Sequence, residues 1–239
     1  MKDIRDLKVK IFADGADLDG IRALAGNPII KGFTTNPTLM RKAGIVGYKA
    51  FALDVLKIVP KMPISFEVFA DEFDEMERQA LEIASWGENV NVKIPVTNTK
   101  RESSAPLVKR LSARGVQLNV TAVFTLEQTR AIADALDPRV PSIISIFAGR
   151  IADTGVDPVP HMRAAVDIMA SKPKAELIWA SPRELLNIFH AEEAGCHIIT
   201  VTHDVLKKLS LVGKDLEDYS LETVEMFHKD ATAAGYAIA

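Results

Sequence analysis

Short β-branched or aromatic runs recur eight times along this chain, and longer amphipathic stretches separate them. The runs lie at residues 9–14 (VKIFAD), 29–35 (IIKGFTT), 63–69 (PISFEVF) and 89–95 (NVNVKIP), then at 116–122 (VQLNVTA), 142–147 (SIISIF), 176–181 (ELIWAS) and 197–201 (HIITV). Each has the length and composition of a strand. Between them, residues 72–86 repeat Phe73, Met76, Ala80, Ile83 and Ala84 at helical spacing, with Asp74, Glu75, Glu77 and Arg78 on other faces. Residues 103–113, 125–136, 157–170 and 183–194 read the same way. Ser103, Thr125, Asp157 and Ser181 are candidate helix N-caps, and Gly87, Gly115 and Gly195 fit the position just past a helix end. Strands that alternate with helices pair in parallel, because each return needs a crossover. Eight such units in 239 residues predict an α/β fold of the (β/α)8 TIM-barrel type. An open doubly wound sheet would usually carry a glycine-rich phosphate loop after its first strand, and ADGAD there lacks that fingerprint.

Residues 217–234 follow the eighth unit. Leu221, Val224, Phe227 and Ala231 make one apolar face there, which predicts an additional C-terminal helix covering the barrel or a neighbouring subunit. The economical division is a single barrel domain over residues 1–239, with 210–239 as its helical extension. The net charge of −3 argues against a basic face for nucleic acid. No apolar run approaches the ~20 residues of a membrane span, and the N-terminus MKDIRDLKVK lacks the apolar core of a signal peptide. The expectation is a cytoplasmic protein whose partners are small molecules, not nucleic acid or membrane. The single cysteine, Cys196, rules out an intrachain disulfide framework. The histidines show no H-x-H or H-E-x-x-H spacing, so no metal site is expected.

The fourth run carries the most unusual residue. In VNVKIPVT, residues 90–97, period 2 puts Asn91 and Lys93 on one face and Val90, Val92 and Ile94 on the other. A buried ammonium is expensive unless paired, whereas a buried neutral amine suits Schiff-base chemistry on a carbonyl. A lysine snorkelling to solvent is the plainer reading of this stretch alone. The other strand ends decide between them, because a barrel carries its chemistry at the C-terminal ends of its strands. Those ends hold Asp14; Thr34, Thr35 and Asn36; Glu67; Asn119 and Thr121; Phe147 and Arg150; and Ser181 with Arg183 beyond. Packing alone does not call for so many polar groups around one lysine. Lys93 would attack a ketone, and Asp14 and Glu67 would serve as acid and base. Asn36 and Asn119 would hydrogen-bond hydroxyls. Arg150, Arg183 and Ser181 would grip a phosphate. Together they describe an aldolase-type reaction on a phosphorylated ketose, with no cofactor.

The segments KIFADGAD (10–17), GFTTNPTLM (32–40), SFEVFAD (65–71), VNVKIPVT (90–97), NVTAVF (119–124), ISIFAGRI (144–151) and IWASPRE (178–184) resemble the transaldolase family, in particular its short-chain branch, which also contains fructose-6-phosphate aldolase. The resemblance implies Lys93 as the Schiff-base lysine, Asp14 assisting carbon–carbon cleavage, and Glu67 with Thr121 holding a water that shuttles protons. It places Asn36 and Asn119 on the dihydroxyacetone part and Arg150, Ser181 and Arg183 on the phosphate, with Thr35, Ser145 and Phe147 among the substrate-binding residues. Glutamate at 67 and phenylalanine at 147 resemble true transaldolases, where the aldolase branch has glutamine and tyrosine. The implied activity is therefore transfer of a dihydroxyacetone unit from sedoheptulose 7-phosphate or fructose 6-phosphate to an aldose phosphate, in the pentose phosphate pathway. Alternatives are an aldolase-like or sulfofructose-type activity, or a barrel that binds sugar phosphates without catalysis. Ile146 and Pro182 depart from the family pattern. The resemblance also implies a homo-oligomer, a decamer or a dimer.

Overall fold

The computed structural model describes residues 4–236 and 238. The chain divides into two compact units, one ending at Leu206 and the other beginning at Lys207.

In the first unit the strands are β1 (Lys10–Asp14), β2 (Ile30–Thr34), β3 (Ile64–Glu67), β4 (Val90–Pro95), β5 (Leu118–Val123), β6 (Ser142–Ile146), β7 (Ala175–Trp179) and β8 (Ile198–Thr202). They close in chain order into a barrel of parallel neighbours. The helices are α1 (Leu18–Ala25), α2 (Pro37–Lys42), α3 (Tyr48–Ile58), α4 (Phe73–Ala84), α5 (Ala105–Ala113), α6 (Leu126–Ala135), α7 (Ala148–Asp153), α8 (Pro158–Met169), α9 (Leu186–Glu193) and α10 (His203–Leu206). The predicted (β/α)8 TIM barrel is the fold.

Period 2 sorts each strand between two environments. Val92, Ile94, Val120, Ile144, Leu177 and Ile199 lie on the outer face and are fully buried. The inner face is divided. On one side Phe12, Ile143, Ile178, Ala180 and Ile198 pack together, with Phe147 against them. Phe12 fits only because Gly32 faces it: a Cβ at Gly32 would lie 2.5 Å from the ring. On the other side the inner rows are polar, running through Ser65, Glu67, Lys93, Asn119 and Thr121. Asn91 and Lys93 share one row of β4, yet they open on different cavities, Asn91 with Pro63 and Gln117 and Lys93 with Asp14 and Thr121.

Gly115 and Gly195 directly follow the C-caps of α5 and α9, whereas α4 is capped by Ser85 with Gly87 two residues beyond, and the N-caps follow the sequence with two corrections. Asp157 accepts from Val159 N and caps α8, and Thr125 caps α6. The N-cap of α5 is Ser104, not Ser103, although Ser103 Oγ still accepts from Ala105 N at 3.2 Å. Ser181 caps nothing: α9 begins only at Leu186, because Asn187 Oδ1 ties up the N–H groups of Arg183 and Glu184 in the preceding loop. Thr125 forms a full capping box with Gln128, whose side chain also accepts from Phe124 N at 2.9 Å. Thr125→Ala is expected to lower stability by about 1 kcal/mol. Urea unfolding measures this, with turnover as a control that stays close to wild type.

In the second unit, a 3-10 turn (Lys207–Leu211) precedes α11 (Leu216–Ala233). Asp215 caps α11 through Glu217 N and Asp218 N. Leu216, Leu221, Val224 and Phe227 on this helix are exposed.

Candidate active site

The barrel register brings the site together. Glu67 pairs with Lys93 across β3 and β4, and Lys93 pairs with Asn119 across β4 and β5. Asp14 pairs with Thr34 on one side and Thr202 on the other. Partners on adjacent strands share a face, so these side chains converge on one mouth. Asp14, Thr34, Glu67, Lys93 and Asn119 line a cavity of about 380 Å³ that also takes in Asn36, Thr121, Ser145, Phe147, Arg150 and Ser181, while Thr202 lines the neighbouring lobe.

Lys93 is 7% exposed. Its Nζ lies 3.2 Å from Glu67 Oε2 and donates to the Thr35 carbonyl at 2.9 Å. Asp14 accepts from Thr34 Oγ1 at 2.7 Å, and Thr34 Oγ1 lies 2.5 Å from Thr200 Oγ1. Burial pushes the Asp14 carboxyl above the usual carboxylate range. The charge of Lys93, the Thr34 hydrogen bond and the charge of His203 oppose that rise, while the Glu67 carboxylate adds to it. Asn119 is held at both ends of its amide: Nδ2 donates to Ser65 Oγ at 2.9 Å, and Oδ1 accepts from Ser145 Oγ at 2.6 Å. Thr121 Oγ1 is buried with no hydrogen-bond partner. Such a hydroxyl costs about 1–3 kcal/mol unless something satisfies it.

Backbone strain aims part of the rim. A register shift in β5 between Val120 and Val123 coincides with a left-handed Ala122 at φ 58°. Ser181 is left-handed at φ 57°. Both line the cavity, and residues held there cost about 1–3 kcal/mol each. Arg150, on α7, stands over the Phe147 ring at 5.3 Å from its centroid. Asn36 caps α2 by accepting from Leu39 N at 2.9 Å, which leaves its amide N–H₂ to donate elsewhere.

Two expected residues lie apart from this cavity. The Thr35 side chain bonds the Ser65 carbonyl, and it is Thr34 that faces the cavity; only the Thr35 carbonyl turns to Lys93. Arg183 pairs with Asp153, Nε to Oδ1 at 3.0 Å and Nη2 to Oδ2, and lines a neighbouring lobe. Thr34 stood among the strand-end residues read from the sequence but was given no role, and Thr200 and Ser65 were not singled out. Inward parity with Asp14, Glu67 and Gly32 would have found them. Among the described residues no group of three or more His, Cys, Asp and Glu side chains is placed to hold a metal ion.

A closed parallel barrel with one buried lysine beside a carboxylate in its mouth defines a class: the (β/α)8 enzymes with a lysine-centred site. The family described as Transaldolase/Fructose-6-phosphate aldolase matches residues 11–238, and the chain belongs to it. It is 34% identical over 202 residues to a protein of Dehalococcoides mccartyi named "Probable transaldolase", covering 84% of this chain and 90% of that one. A protein of the same name from Streptococcus agalactiae is 35% identical over 218 residues, covering 90% and 95% of the two chains. Another from Thermoanaerobacter is 33% identical over 234 residues, covering 96% of this chain and 100% of that one. Among solved structures, 2,3-dimethylmalate lyase superposes with a TM-score of 0.55 at 12% identity, over 98% of this chain and 86% of that one. KGPDC of Streptococcus mutans superposes with 0.54 at 10% identity, over 82% and 88%. These two show a shared barrel fold and nothing finer.

Proposed function

We propose that the protein is a Schiff-base transaldolase that moves a dihydroxyacetone unit from a ketose phosphate, sedoheptulose 7-phosphate or fructose 6-phosphate, to an aldose phosphate. The observation that carries this reading is the buried Lys93 amine, 3.2 Å from Glu67 and sharing one cavity with Asp14. Lys93 adds to the ketone carbonyl, and the carbinolamine loses water to give an iminium ion. Asp14 takes the proton of the C4 hydroxyl as the C3–C4 bond breaks and the aldehyde leaves. The enamine left on Lys93 adds to the acceptor aldehyde, Asp14 returns its proton to the new alkoxide, and one water hydrolyses the resulting iminium to release the product ketose and the free Lys93 amine. Burial suits Asp14 to carrying that proton between the two halves. Glu67 and the unpaired Thr121 hydroxyl hold a water for the carbinolamine proton transfers. Asn36 and Asn119 bind substrate hydroxyls. Arg150 and Ser181 meet the phosphate, and Arg183 stands further out.

Phe147 favours transfer over simple cleavage, because it has no hydroxyl with which to quench the enamine. The helices described contain none long and apolar enough to cross a membrane, and the reading places the enzyme in the cytoplasm, in the pentose phosphate pathway. The exposed apolar residues of α11 support a homo-oligomer in which this helix packs against a second copy.

Borohydride reduction in the presence of fructose 6-phosphate, followed by peptide mapping, tests the reading. The expected product is one reduced three-carbon adduct on Lys93. An unmodified Lys93 with that ketose and with sedoheptulose 7-phosphate would refute it. Free glyceraldehyde 3-phosphate without an acceptor would favour the aldolase activity.

A further inference from the structure

Two buried threonine hydroxyls lead to Asp14, and the proposed chemistry uses neither. Thr34 on β2 and Thr200 on β8 come from the strands on either side of β1. Thr34 Oγ1 donates to Asp14 Oδ1 at 2.7 Å and lies 2.5 Å from Thr200 Oγ1. The direction of the second bond follows from counting protons. A carboxylate only accepts, and a hydroxyl has one proton to give. While Asp14 is ionised, the Thr34 proton belongs to Asp14, so Thr200 donates to Thr34. The two threonines are 3% and 7% exposed, and both line the same cavity as Asp14. Packing alone would be served by valine at either position, with no hydroxyl to bury. Among the described residues, Thr34 is the hydrogen-bond donor to the Asp14 side chain, and it engages Oδ1. Oδ2 is left for the substrate.

We propose that Thr200 is a positioning residue for carbon–carbon cleavage: by donating to Thr34 Oγ1, it commits the Thr34 proton to Asp14 Oδ1 and so fixes Oδ2 as the oxygen that receives the C4 hydroxyl proton. The inference rests on the transaldolase reading for that role of Asp14. A lone Thr34 hydroxyl is free to rotate about its C–O bond and turn its proton away from the carboxylate. With Thr200 donating to it, the Thr34 oxygen has its incoming bond, and the bond it gives is polarised and strengthened. The arrangement survives the proton transfer. The proton leaves the C4 hydroxyl for Oδ2, the C3–C4 electron pair flows into the iminium, and Oδ1 remains an acceptor throughout. Asp14 can therefore take a proton and return it while both threonines keep their orientation. The titratable groups facing Asp14 are Lys93 on β4, Glu67 on β3 and His203 on α10, with Asp17, Lys42, Arg183 and Asp204 around the adjoining lobe. The Thr200–Thr34 pair is what holds one particular carboxylate oxygen by a hydrogen bond.

Thr200→Val removes the hydroxyl at nearly constant volume. It is expected to lower kcat for transfer from sedoheptulose 7-phosphate to glyceraldehyde 3-phosphate about tenfold, with KM for both sugars within about twofold of wild type. Thr200→Ser keeps the donor and is expected to restore kcat to within about twofold. Borohydride trapping of dihydroxyacetone on Lys93 should be unchanged in both variants, because that ketone forms a Schiff base with no carbon–carbon bond to break. A weaker Thr34 bond makes the carboxylate harder to form, so the acidic limb of kcat/KM moves up by about a few tenths of a pH unit in Thr200→Val and not in Thr200→Ser. Melting transitions check that each variant is folded, and Thr200→Ala stands in if Thr200→Val is not. Wild-type kcat in a folded variant without the hydroxyl would overturn the inference, as would equal losses in Thr200→Val and Thr200→Ser, or a loss confined to KM. Failure of the enzymatic reading looks different: wild-type Lys93 then gives no borohydride adduct with either ketose or with dihydroxyacetone. A ¹³C NMR titration of the Asp14 carboxyl, shifted upward in Thr200→Val but not in Thr200→Ser, still decides whether Thr200 acts on Asp14.

Discussion

Lys93→Met is expected to abolish borohydride trapping and to lower kcat by at least about 10⁴-fold, because a thioether cannot form a carbinolamine and no other amine lines the site. Methionine fills a comparable length without charge, so the barrel should still close. The substitution nevertheless has an electrostatic cost of predictable sign. Lys93 is the largest influence opposing the effect of burial on Asp14 and is the ion-pair partner of Glu67. Without it the folded protein favours a protonated Asp14 still more strongly relative to the unfolded chain. A carboxyl whose folded pKa lies above its unfolded value contributes stability that is present at low pH and lost as pH rises through the folded pKa. The stability gap between wild type and Lys93→Met is therefore expected to be wider at about pH 8 than at about pH 5. Urea unfolding at the two pH values measures it. Retained turnover in this variant would remove Lys93 from the chemistry altogether.

Gly149→Ala should be the most damaging single-methyl change in the chain. Gly149 lies at the start of α7, where its N–H donates to the Ala180 carbonyl at 3.2 Å. A Cβ there would fall 1.6 Å from the Ser181 carbonyl oxygen and 2.6 Å from its carbon. These are backbone atoms, so no rotamer change relieves the overlap; α7 must move away from the end of β7. That junction carries both Arg150 and the left-handed Ser181. The expected result is a loss of at least about 3 kcal/mol, or a fall in melting temperature of about 6 °C or more. A raised KM for phosphorylated sugars should accompany it. Gly26→Ala is the control, since nothing lies within 4 Å of a Cβ at that position. Equal melting temperatures for the two variants would contradict the packing described here.

Much of the architecture was legible because it depends on local periodicity. Eight short runs separated by amphipathic stretches already imply parallel strands with covering helices, and the strand ends already pick out Asp14, Glu67 and Lys93. The helices between β1 and β3 were not individually legible, and α2, at six residues, is too short to display a period. Caps are a matter of single residues, so Ser103 and Ser104 could not be ranked without the backbone.

Sequence by itself determined the barrel, the family and the row of β4 that holds Lys93, since period 2 and strand order need no knowledge of partners. Only the tertiary structure decided which neighbours meet. Thr34 and not Thr35 faces the site, because β2 and β1 pair in one register and a shift of one residue would exchange them. Arg183 is engaged by Asp153, thirty positions earlier in the chain, a contact that pattern cannot reveal. Thr200 meets Thr34 only because β8 closes against β1, and barrel closure joins the two ends of the sequence that local periodicity keeps furthest apart.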